Sequence, residues 1–320
     1  MQRREATTKA ARPARDEEGP RASSGDSLSS TPREGPGGRS WALDGLLLAA
    51  VILAFSPAFL AMAGVWEVVD YQAHGFLVGP VAAAMAFSRR RAAHAAAGSG
   101  GSLGLLVFIG ALLAYVAGLM ADLLSLQGVA FPLALAGLIA WRRGSGTLRV
   151  LAFPLAYLLF MVPVPPQWLT PLVTQLQSFV TRTASALLEI AHVPALREGN
   201  VIVLPEGSLF VAEACSGITS IVTLLPVAAL LVFLTPGPRR HGWLLMASVV
   251  PVAMLWNLVR VLATVAATRS VGVVQATTGS LHETAGMLTF VAGCLSLLVL
   301  SAWFGRSPGA GPAQAAPGQP

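Results

Sequence analysis

Long apolar runs that hold almost no charge constrain this chain more than any other feature. Of its 320 residues, 54% are hydrophobic and only 11% are charged, whereas a soluble globular domain carries about 25% charged residues. A helix needs about 20 apolar residues to cross a bilayer core of about 30 Å. We therefore expect an all-α fold, a polytopic membrane bundle of about eight transmembrane helices.

The apolar runs give approximate bounds for the eight spans. These are 43–63, 73–88, 103–121, 127–141, 149–164, 217–235, 242–265 and 285–304. A ninth segment, 170–191, contains Gln175, Gln177, Arg182 and Glu189. Its polarity suits a helix that lies in the interface, or packs against other helices, better than a lipid-facing span. Whether it crosses the membrane stays open.

Two segments of different composition flank the membrane domain, which we place at residues 41–305. Residues 1–40 contain almost no large apolar residue and are rich in charged residues, Ser, Pro and Gly. Residues 306–320 are rich in Gly, Pro and Ala. Such segments cannot bury enough apolar surface to offset their ordering entropy, so we expect two disordered cytoplasmic tails.

The charged residues sort by side if the N-terminus lies in the cytoplasm. The inner connections then hold Arg89, Arg90, Arg91, Arg142, Arg143, Arg149, Arg239, Arg240 and Arg306. The outer connections hold Arg182, Arg197 and Arg269, and every acidic residue after Asp44. This is the positive-inside bias, which predicts a multi-pass protein with its N-terminus inside. Abundant Arg, Ala and Gly favour a bacterial cytoplasmic membrane. The net charge of +6 lies in these clusters, so nucleic-acid binding is not expected.

Arg260 is the clearest ionisable residue inside a predicted span. Such a residue costs roughly 2.5–3.5 kcal/mol on insertion scales, which makes it a functional candidate. Asn257 lies three residues earlier and shares its helix face. Arg260 lies one to two turns from the predicted outer end of its helix. The alternative interpretation is that Arg260 snorkels to the outer interface, although arginine generally avoids that side.

Cys215 lies in the run EACSG at 213–217, where a polar outer loop meets the sixth span. A helix N-terminus favours the nucleophilic thiolate, and Gly217 would permit the close approach of another backbone. Cys294 lies roughly 15 Å along its helix from the outer end, so a disulfide between the two cysteines is not expected. The alternative is that Cys215 is only a small apolar residue.

His282 stands at the outer start of the last span. A neutral imidazole can accept a thiol proton and later protonate a leaving amine, although an ordinary interfacial histidine is the alternative. The topology brings Cys215, Arg260 and His282 to the outer ends of three successive spans, and this is the set that acyl transfer needs. No dinucleotide fingerprint, P-loop or zinc-type histidine pair occurs, so no cofactor and no metal is expected.

An ordered set of motifs resembles the exosortase/archaeosortase family. The set comprises DYQAHGFL at 70–77, PVP at 163–165, REGNVI at 197–202, LP at 204–205, EACSGI at 213–218, NLVR at 257–260 and His282. The resemblance covers about residues 43–304. It implies a membrane cysteine peptidase or transpeptidase with Cys215 as nucleophile, Arg260 as transition-state stabiliser and His282 as acid/base.

The resemblance also implies the substrate. Family substrates are exported proteins whose C-terminal tag has a short Pro-Glu-Pro-like motif, a hydrophobic helix and a basic end. Cleavage at the outer membrane face through a Cys thioester would pass the acyl group to an acceptor that the sequence does not identify. Glu213 and Asn257 are candidate supporting residues, and His74 has either a substrate-binding or a structural interfacial role. Thr219 and Ala73 depart from the family pattern, which leaves tag specificity open.

The competing interpretation is a multi-pass transporter or a non-catalytic membrane scaffold. Arg260 and Asn257 would then line a solute path, and helices broken near Pro226 or Pro251 would serve gating. A transporter fold predicts paired, internally similar halves, and the sequence shows no such repeat.

Overall fold

The computed structural model describes residues 37–211, 216–235, 237–277 and 280–305, the side chains of 37–41 and 280–282 excepted. The predicted tail 306–320 and most of the predicted tail 1–40 lie outside the described residues. The chain divides into two units, residues 1–43 and 44–320, and the contacts below all belong to the second.

Helices account for most of the regular structure. They are α1 (Gly37–Ala54), α2 (Ser56–Val68), α3 (Gly75–Ser88), α4 (Arg90–Ala95), α5 (Ser102–Met120), α6 (Leu124–Tyr157), α7 (Pro166–Ile190), α8 (Ile218–Leu234), α9 (Arg239–Val271), α10 (Val273–Thr277) and α11 (Ser280–Gly305). Short 3-10 turns at Asp70–Gln72 and Leu158–Met161 precede α3 and follow α6. The strands are β1 (Leu196–Glu198), β2 (Val201–Leu204) and β3 (Gly207–Phe210).

Within the described residues, four helices are long and apolar enough to cross a membrane. They are Ser102–Met120, Leu124–Met161, Arg239–Val271 and Glu283–Gly305. The α1–α2 pair, bent by 52°, makes a fifth if it forms one span, and α8 is a shorter apolar helix. An all-α membrane bundle therefore fits the chain, whereas the predicted count of eight spans is not confirmed.

The predicted span 43–63 is broken where α1 meets α2. Pro57 has no N–H to donate to the Leu53 carbonyl, and the Ser56 hydroxyl donates to that carbonyl instead at 2.7 Å. Tyr115 Oη donates to the next carbonyl, that of Ala54, at 3.0 Å. Side-chain hydroxyls thus satisfy the two backbone carbonyls at the bend. Phe55, at the apex of the bend, is fully buried against the Tyr115 ring.

The predicted spans 127–141 and 149–164 correspond to the two parts of α6. Gly144 separates them with a non-helical backbone (φ 83°, ψ 173°). The N–H of Gly98 donates to the Arg143 carbonyl at 2.9 Å, which fastens the preceding loop to the break. In the first part of α6, Gly137 lies against the backbone of α5 at Phe108, because small residues let membrane helices approach closely.

α9 is longer than predicted and contributes to a core that it shares with α7 and a small sheet. Its 33 residues measure about 50 Å, against a hydrocarbon core of about 30 Å. Its C-terminal half packs on α7 and on an antiparallel sheet of order β1-β2-β3. The shared core comprises Val180, Ala184, Leu188, Ile202, Leu204, Leu209, Val211, Val261 and Val265. The sequence analysis predicted no strands at 196–210.

α7 contains the ninth predicted segment and is amphipathic. One face is buried against α9 and the sheet, whereas Arg182 and Glu189 are exposed. α7 is not among the candidate spans of the described residues. The prediction of a helix packed on other helices therefore agrees with the structure.

The helix breaks invoked for a transporter are not found. α8 runs through Pro226, and α9 runs through Pro251, with no interruption of either helix. A gating hinge at these prolines has no structural support.

Candidate active site

The start of α8 is the best-defined part of the candidate site. Cys215 and Glu213 lie outside the described residues, and the described chain resumes at Ser216. Ser216 is completely buried, and its hydroxyl accepts a hydrogen bond from the N–H of Ile218 at 3.2 Å. The bond satisfies one of the N–H groups that a helix N-terminus leaves without an intrahelical partner.

Gly217 brings the start of α8 against α9. Its backbone is left-handed (φ 91°), a conformation that glycine adopts at no steric cost. A β-carbon at Gly217 would lie 2.9 Å from Met254 Sδ and 3.5 Å from Asn257 Nδ2. The sequence analysis expected the close approach of another backbone here, and that is wrong: the neighbours are two side chains of α9.

Asn257 and Arg260 lie on successive turns of α9 and on the same face. Asn257 is 1% exposed and adjoins the start of α8, as described above. Arg260 is half-buried, and its guanidinium lies against Gly286 of α11, where a β-carbon would be 3.1 Å from Nη2. A guanidinium packed between two helices argues against the alternative that Arg260 snorkels to the interface.

The predicted distance of Arg260 from the helix end is wrong. α9 ends at Val271, so Arg260 lies about three turns before the end, not one to two. Directly after Arg260, α9 packs on α7 and the sheet through Val261 and Val265. In the additional turns, Arg269 lies 3.9 Å from Glu206 of the sheet's second turn.

His282 belongs to α11, and its side chain lies outside the described residues. Gly286 follows it by four residues, about one helical turn, and so shares its face. α8, α9 and α11 pack on one another, and Trp256 Nε1 donates to Ser296 Oγ at 3.0 Å to fasten α9 to α11. The structure thus brings together the residues that adjoin Cys215, those around Arg260 and the turn that follows His282.

A second group of residues flanks the start of α8. The turn Asp70–Gln72 contacts α8, and Arg89 at the end of α3 lies 4.9 Å over the Phe233 ring at the end of α8. α3 and α8 therefore point the same way, so the turn before α3 meets the beginning of α8. Gln72 within this turn is 7% exposed. The sequence analysis did not single it out, although it belongs to the motif at 70–77.

His74 contacts the 3-10 turn that follows α6. His74 Nε2 is 3.0 Å from the Phe160 carbonyl, and Trp66 Nε1 donates to the Met161 carbonyl at 3.1 Å. These carbonyls precede Pro163, where the helix cannot continue. Burial lowers the pKa of His74 from its ordinary value of 6.5, and hydrogen bonds to backbone oppose this shift only in part. The structure favours the structural role for His74 over the substrate-binding one.

Polar residues fix the sheet to α7. Ser178 Oγ donates to Asn200 Oδ1 at 3.0 Å, and Asn200 Nδ2 donates to Gln177 Oε1 at 3.2 Å. The sequence analysis missed this network, and the signal for it was Asn200 in the REGNVI motif beside a polar helix. Among the described residues, no group of three or more His, Cys, Asp or Glu could hold a metal ion.

Fold and site together define a polytopic helical membrane protein in which the surroundings of a cysteine, an arginine and a histidine meet at one junction of three helices. The family model described as transmembrane exosortase matches residues 66–299. This chain belongs to the transmembrane exosortase family, as the motifs indicated. No curated protein and no solved structure gives a significant match.

Membership defines the activity at the level of the family. Exosortases are membrane enzymes of the cysteine protease/transpeptidase kind that process sorting signals on their substrates. The matched range contains all three residues that the sequence analysis put forward for catalysis.

Proposed function

We propose that this exosortase cleaves the C-terminal sorting tag of exported proteins, with Cys215 as the nucleophile. The observation that carries the proposal is the junction of α8, α9 and α11. Gly217, two residues after Cys215, lies against Asn257, and Gly286, one turn after His282, lies against the Arg260 guanidinium. Contacts at these two glycines join chain segments that are distant in sequence and that each adjoin a candidate catalytic group.

The reaction is an acyl transfer. His282 takes the thiol proton of Cys215, and the thiolate sulfur bonds to the carbonyl carbon of the scissile peptide. The Arg260 guanidinium stabilises the oxyanion that develops. His282 then gives its proton to the departing amine as the C–N bond breaks, leaving a thioester on Cys215. Water or an amine-bearing acceptor resolves the thioester and restores the thiol.

Asn257 and Glu213 have supporting roles in this proposal. Asn257 is buried between the start of α8 and the turn that carries Arg260, so it sets the separation of the two. Glu213, two residues before Cys215, would orient Arg260 or His282, because a carboxylate beside the thiolate needs a cation near it.

We place the reaction at the extracytoplasmic face of the bacterial inner membrane, with the N-terminus inside. Arg142 and Arg143 both pair with the half-buried Asp44, and Arg89 lies at the end of α8 remote from the junction. These arginines therefore lie away from the candidate site, as the positive-inside bias predicts for an outward-facing site. The substrate tag would place its helix in the bilayer, with its basic end inside.

Processing of a tagged substrate in membranes tests the proposal. Cys215→Ala is expected to abolish cleavage while the protein still inserts and accumulates. The matched control is Cys294→Ala, since Cys294 is a free thiol in the apolar cluster of α8, α9 and α11 and should be dispensable. Normal cleavage by the Cys215→Ala protein would refute the assignment of the nucleophile.

A further inference from the structure

A cavity of about 490 Å³ lies between α6, α8 and α9, at the end of α8 remote from the candidate site. Its walls are mostly apolar, with Phe153, Tyr157, Val232 and Met246 among them. Its volume falls within the roughly 300–1,000 Å³ of small-molecule sites. The walls belong to helices that also build the bundle, so an occupant would contact all three helices at once.

The mouth of the cavity is cationic. Arg239, the first residue of α9, lines it and is exposed. Exposed Arg89 stacks on Phe233, and the Phe233 ring lies 5.6 Å from that of Phe153 in the cavity wall. The Arg89 guanidinium is thus separated from the cavity wall by the Phe233 ring.

The three connections that neighbour the mouth supply no acidic residue to it. The chain segments 89–101, 142–149 and 235–242 contain no Asp or Glu. The carboxylate of Asp44 is shared by Arg142 and Arg143. His241 also lines the cavity, but it is buried and its Nε2 lies 3.2 Å from both the carbonyl and the hydroxyl of Ser301.

An apolar chamber with a cationic mouth fits an amphiphile with an anionic head. A nucleotide or a free anion would leave the apolar walls without a partner, and a peptide with a basic end would meet repulsion at Arg239. Basic pockets between membrane helices accept anionic lipid headgroups. We propose that the cavity binds an anionic phospholipid, with an acyl chain among the aromatic residues and the phosphate at Arg239 and Arg89.

The proposal is tested with the purified full-length protein in a neutral detergent. Phosphatidylglycerol and phosphatidylcholine with identical acyl chains are titrated, and bound lipid is counted by native mass spectrometry. Phosphatidylglycerol should bind preferentially and raise the thermal unfolding temperature, whereas soluble glycerol phosphate should do neither. Equal binding of the two lipids, or stabilisation by glycerol phosphate alone, would overturn the proposal.

Two pairs of variants locate the site. Arg239→Ala should weaken phosphatidylglycerol binding about five-fold, whereas Arg149→Ala, an exposed arginine outside the lining, should not. Ala156→Trp fills the chamber and should reduce binding of the lipid, whereas Ala152→Trp, one turn earlier on the same helix and outside the lining, should preserve it. Equal effects within either pair contradict the assignment.

A tagged substrate provides a final discrimination. Because the proposed lipid lies away from the junction of α8, α9 and α11, a synthetic tag peptide should leave the bound phosphatidylglycerol in place. Displacement of the lipid by the peptide would assign the cavity to the substrate helix and reject the lipid. The readout is lipid binding and not cleavage, so its result does not depend on the proposed peptidase mechanism.

Discussion

Arg260 shows how one side chain depends on a glycine of another helix. Its guanidinium occupies space that a β-carbon at Gly286 would enter, and Gly286 shares a helix face with His282. The charge is therefore held at a fixed place between α9 and α11. A lysine at the same position would carry a single flexible ammonium group, which does not reproduce a planar guanidinium with five N–H donors.

We predict that Arg260→Lys lowers the rate of tag cleavage by about 100-fold or more, the usual loss when one oxyanion donor is removed. The rate is measured on a tagged substrate in membranes. Arg269→Lys is the control on the same helix. Arg269 is half exposed, and the ion-pair contact that it makes among the described residues is a long one, 3.9 Å from Nε to Glu206 Oε1, so a lysine should replace it with little effect. A lysine that works as well as arginine at position 260 would show that only charge matters there.

Gly217 combines a left-handed backbone with a tight contact, and the two effects can be separated. For another residue the left-handed backbone costs roughly 1–2 kcal/mol. Gly272 also has a positive φ of 82°, with ψ at 163°, a region that is essentially restricted to glycine, but nothing lies within 4 Å of its β-carbon position. Gly272→Ala therefore strains the backbone without touching a neighbour, and we predict that Gly217→Ala lowers the cleavage rate more than Gly272→Ala does.

The double variant Gly217→Ala/Met254→Ala checks the contact itself. Removal of the Met254 sulfur opens the space that the new methyl group needs, so part of the cleavage rate should return while the cost of the backbone remains. If Gly217→Ala and Gly272→Ala have equal effects, the contact between α8 and α9 has no role in the site.

The half-buried imidazole of His74 is expected to make the free energy of unfolding depend on pH. It lies outside the candidate membrane spans, and burial lowers its pKa from 6.5. The unfolded chain therefore binds the proton more tightly than the folded one. The contribution of His74 to stability is complete above pH 6.5 and is lost as the pH falls through the lowered folded value. His74→Gln, which keeps a donor for the Phe160 carbonyl without titrating, should flatten the curve.

Thermal unfolding in detergent between about pH 5 and 8 measures this effect. The matched control is His94→Gln, a histidine of the short helix α4 at the opposite end of α3. A curve that is unchanged by His74→Gln would assign the pH dependence to other groups.

At the scale of elements, the assembly of α7 with the sheet is the least expected feature. β2 is only four residues long and alternates half-buried and buried positions. So short a pattern within a polar loop gives little evidence for a strand. α7 was easier to set apart from the membrane spans, because Gln175, Gln177, Arg182 and Glu189 interrupt its apolar run.

We predict that Asn200→Ala releases the sheet from α7. The substitution leaves Gln177, which is buried, without the amide that donates to it, at a cost of about 1–3 kcal/mol. Hydrogen exchange of the β1 and β2 amides should accelerate. Thr174→Ala is the control, because its hydroxyl bonds only within α7, to the Thr170 carbonyl. Unchanged exchange in the Asn200 variant would deny the network a structural role.

Helix ends were less predictable than helices, for particular physical reasons. The bend at Phe55 depends on two backbone carbonyls that accept hydrogen bonds from the hydroxyls of Ser56 and Tyr115, the latter about 60 residues away. The extra turns of α9 follow the part of the helix that packs on α7 and the sheet through Val261 and Val265, a tertiary contact that a hydropathy pattern does not detect. Local patterns located the apolar segments, but tertiary contacts determined where they bend and end.

At the scale of the whole molecule, an arginine cluster and the candidate site lie at different ends of α8. The arginine-rich end carries Asp44 between Arg142 and Arg143, as well as the cavity whose mouth is lined by Arg239. The other end meets the Asp70–Gln72 turn and the junction with α9 and α11. The arginine clusters of the sequence predict that the inner connections and the candidate catalytic residues lie on opposite sides of the membrane, and this sidedness stays a prediction. The sequence could not predict the cavity, which requires three packed helices.

The sequence predicts a set of candidate residues for the site and not their geometry, and their roles stay a prediction. Cys215, Arg260 and His282 were each identified by an unusual residue type near the end of an apolar run. Met254 and Gly286 were not, because a methionine and a glycine in a membrane helix have no distinguishing pattern. Their importance is visible only where they contact Gly217 and Arg260.

The central claim is that the substrate becomes covalently attached to Cys215. Intact-protein mass spectrometry of the enzyme mixed with a tagged substrate, quenched in acid during turnover, tests it most directly. The account predicts an acyl adduct that hydroxylamine removes, that persists in the Cys294→Ala protein and that is missing from the Cys215→Ala protein. Cleavage that proceeds with no adduct at Cys215, or an adduct that maps to Cys294, would contradict the account.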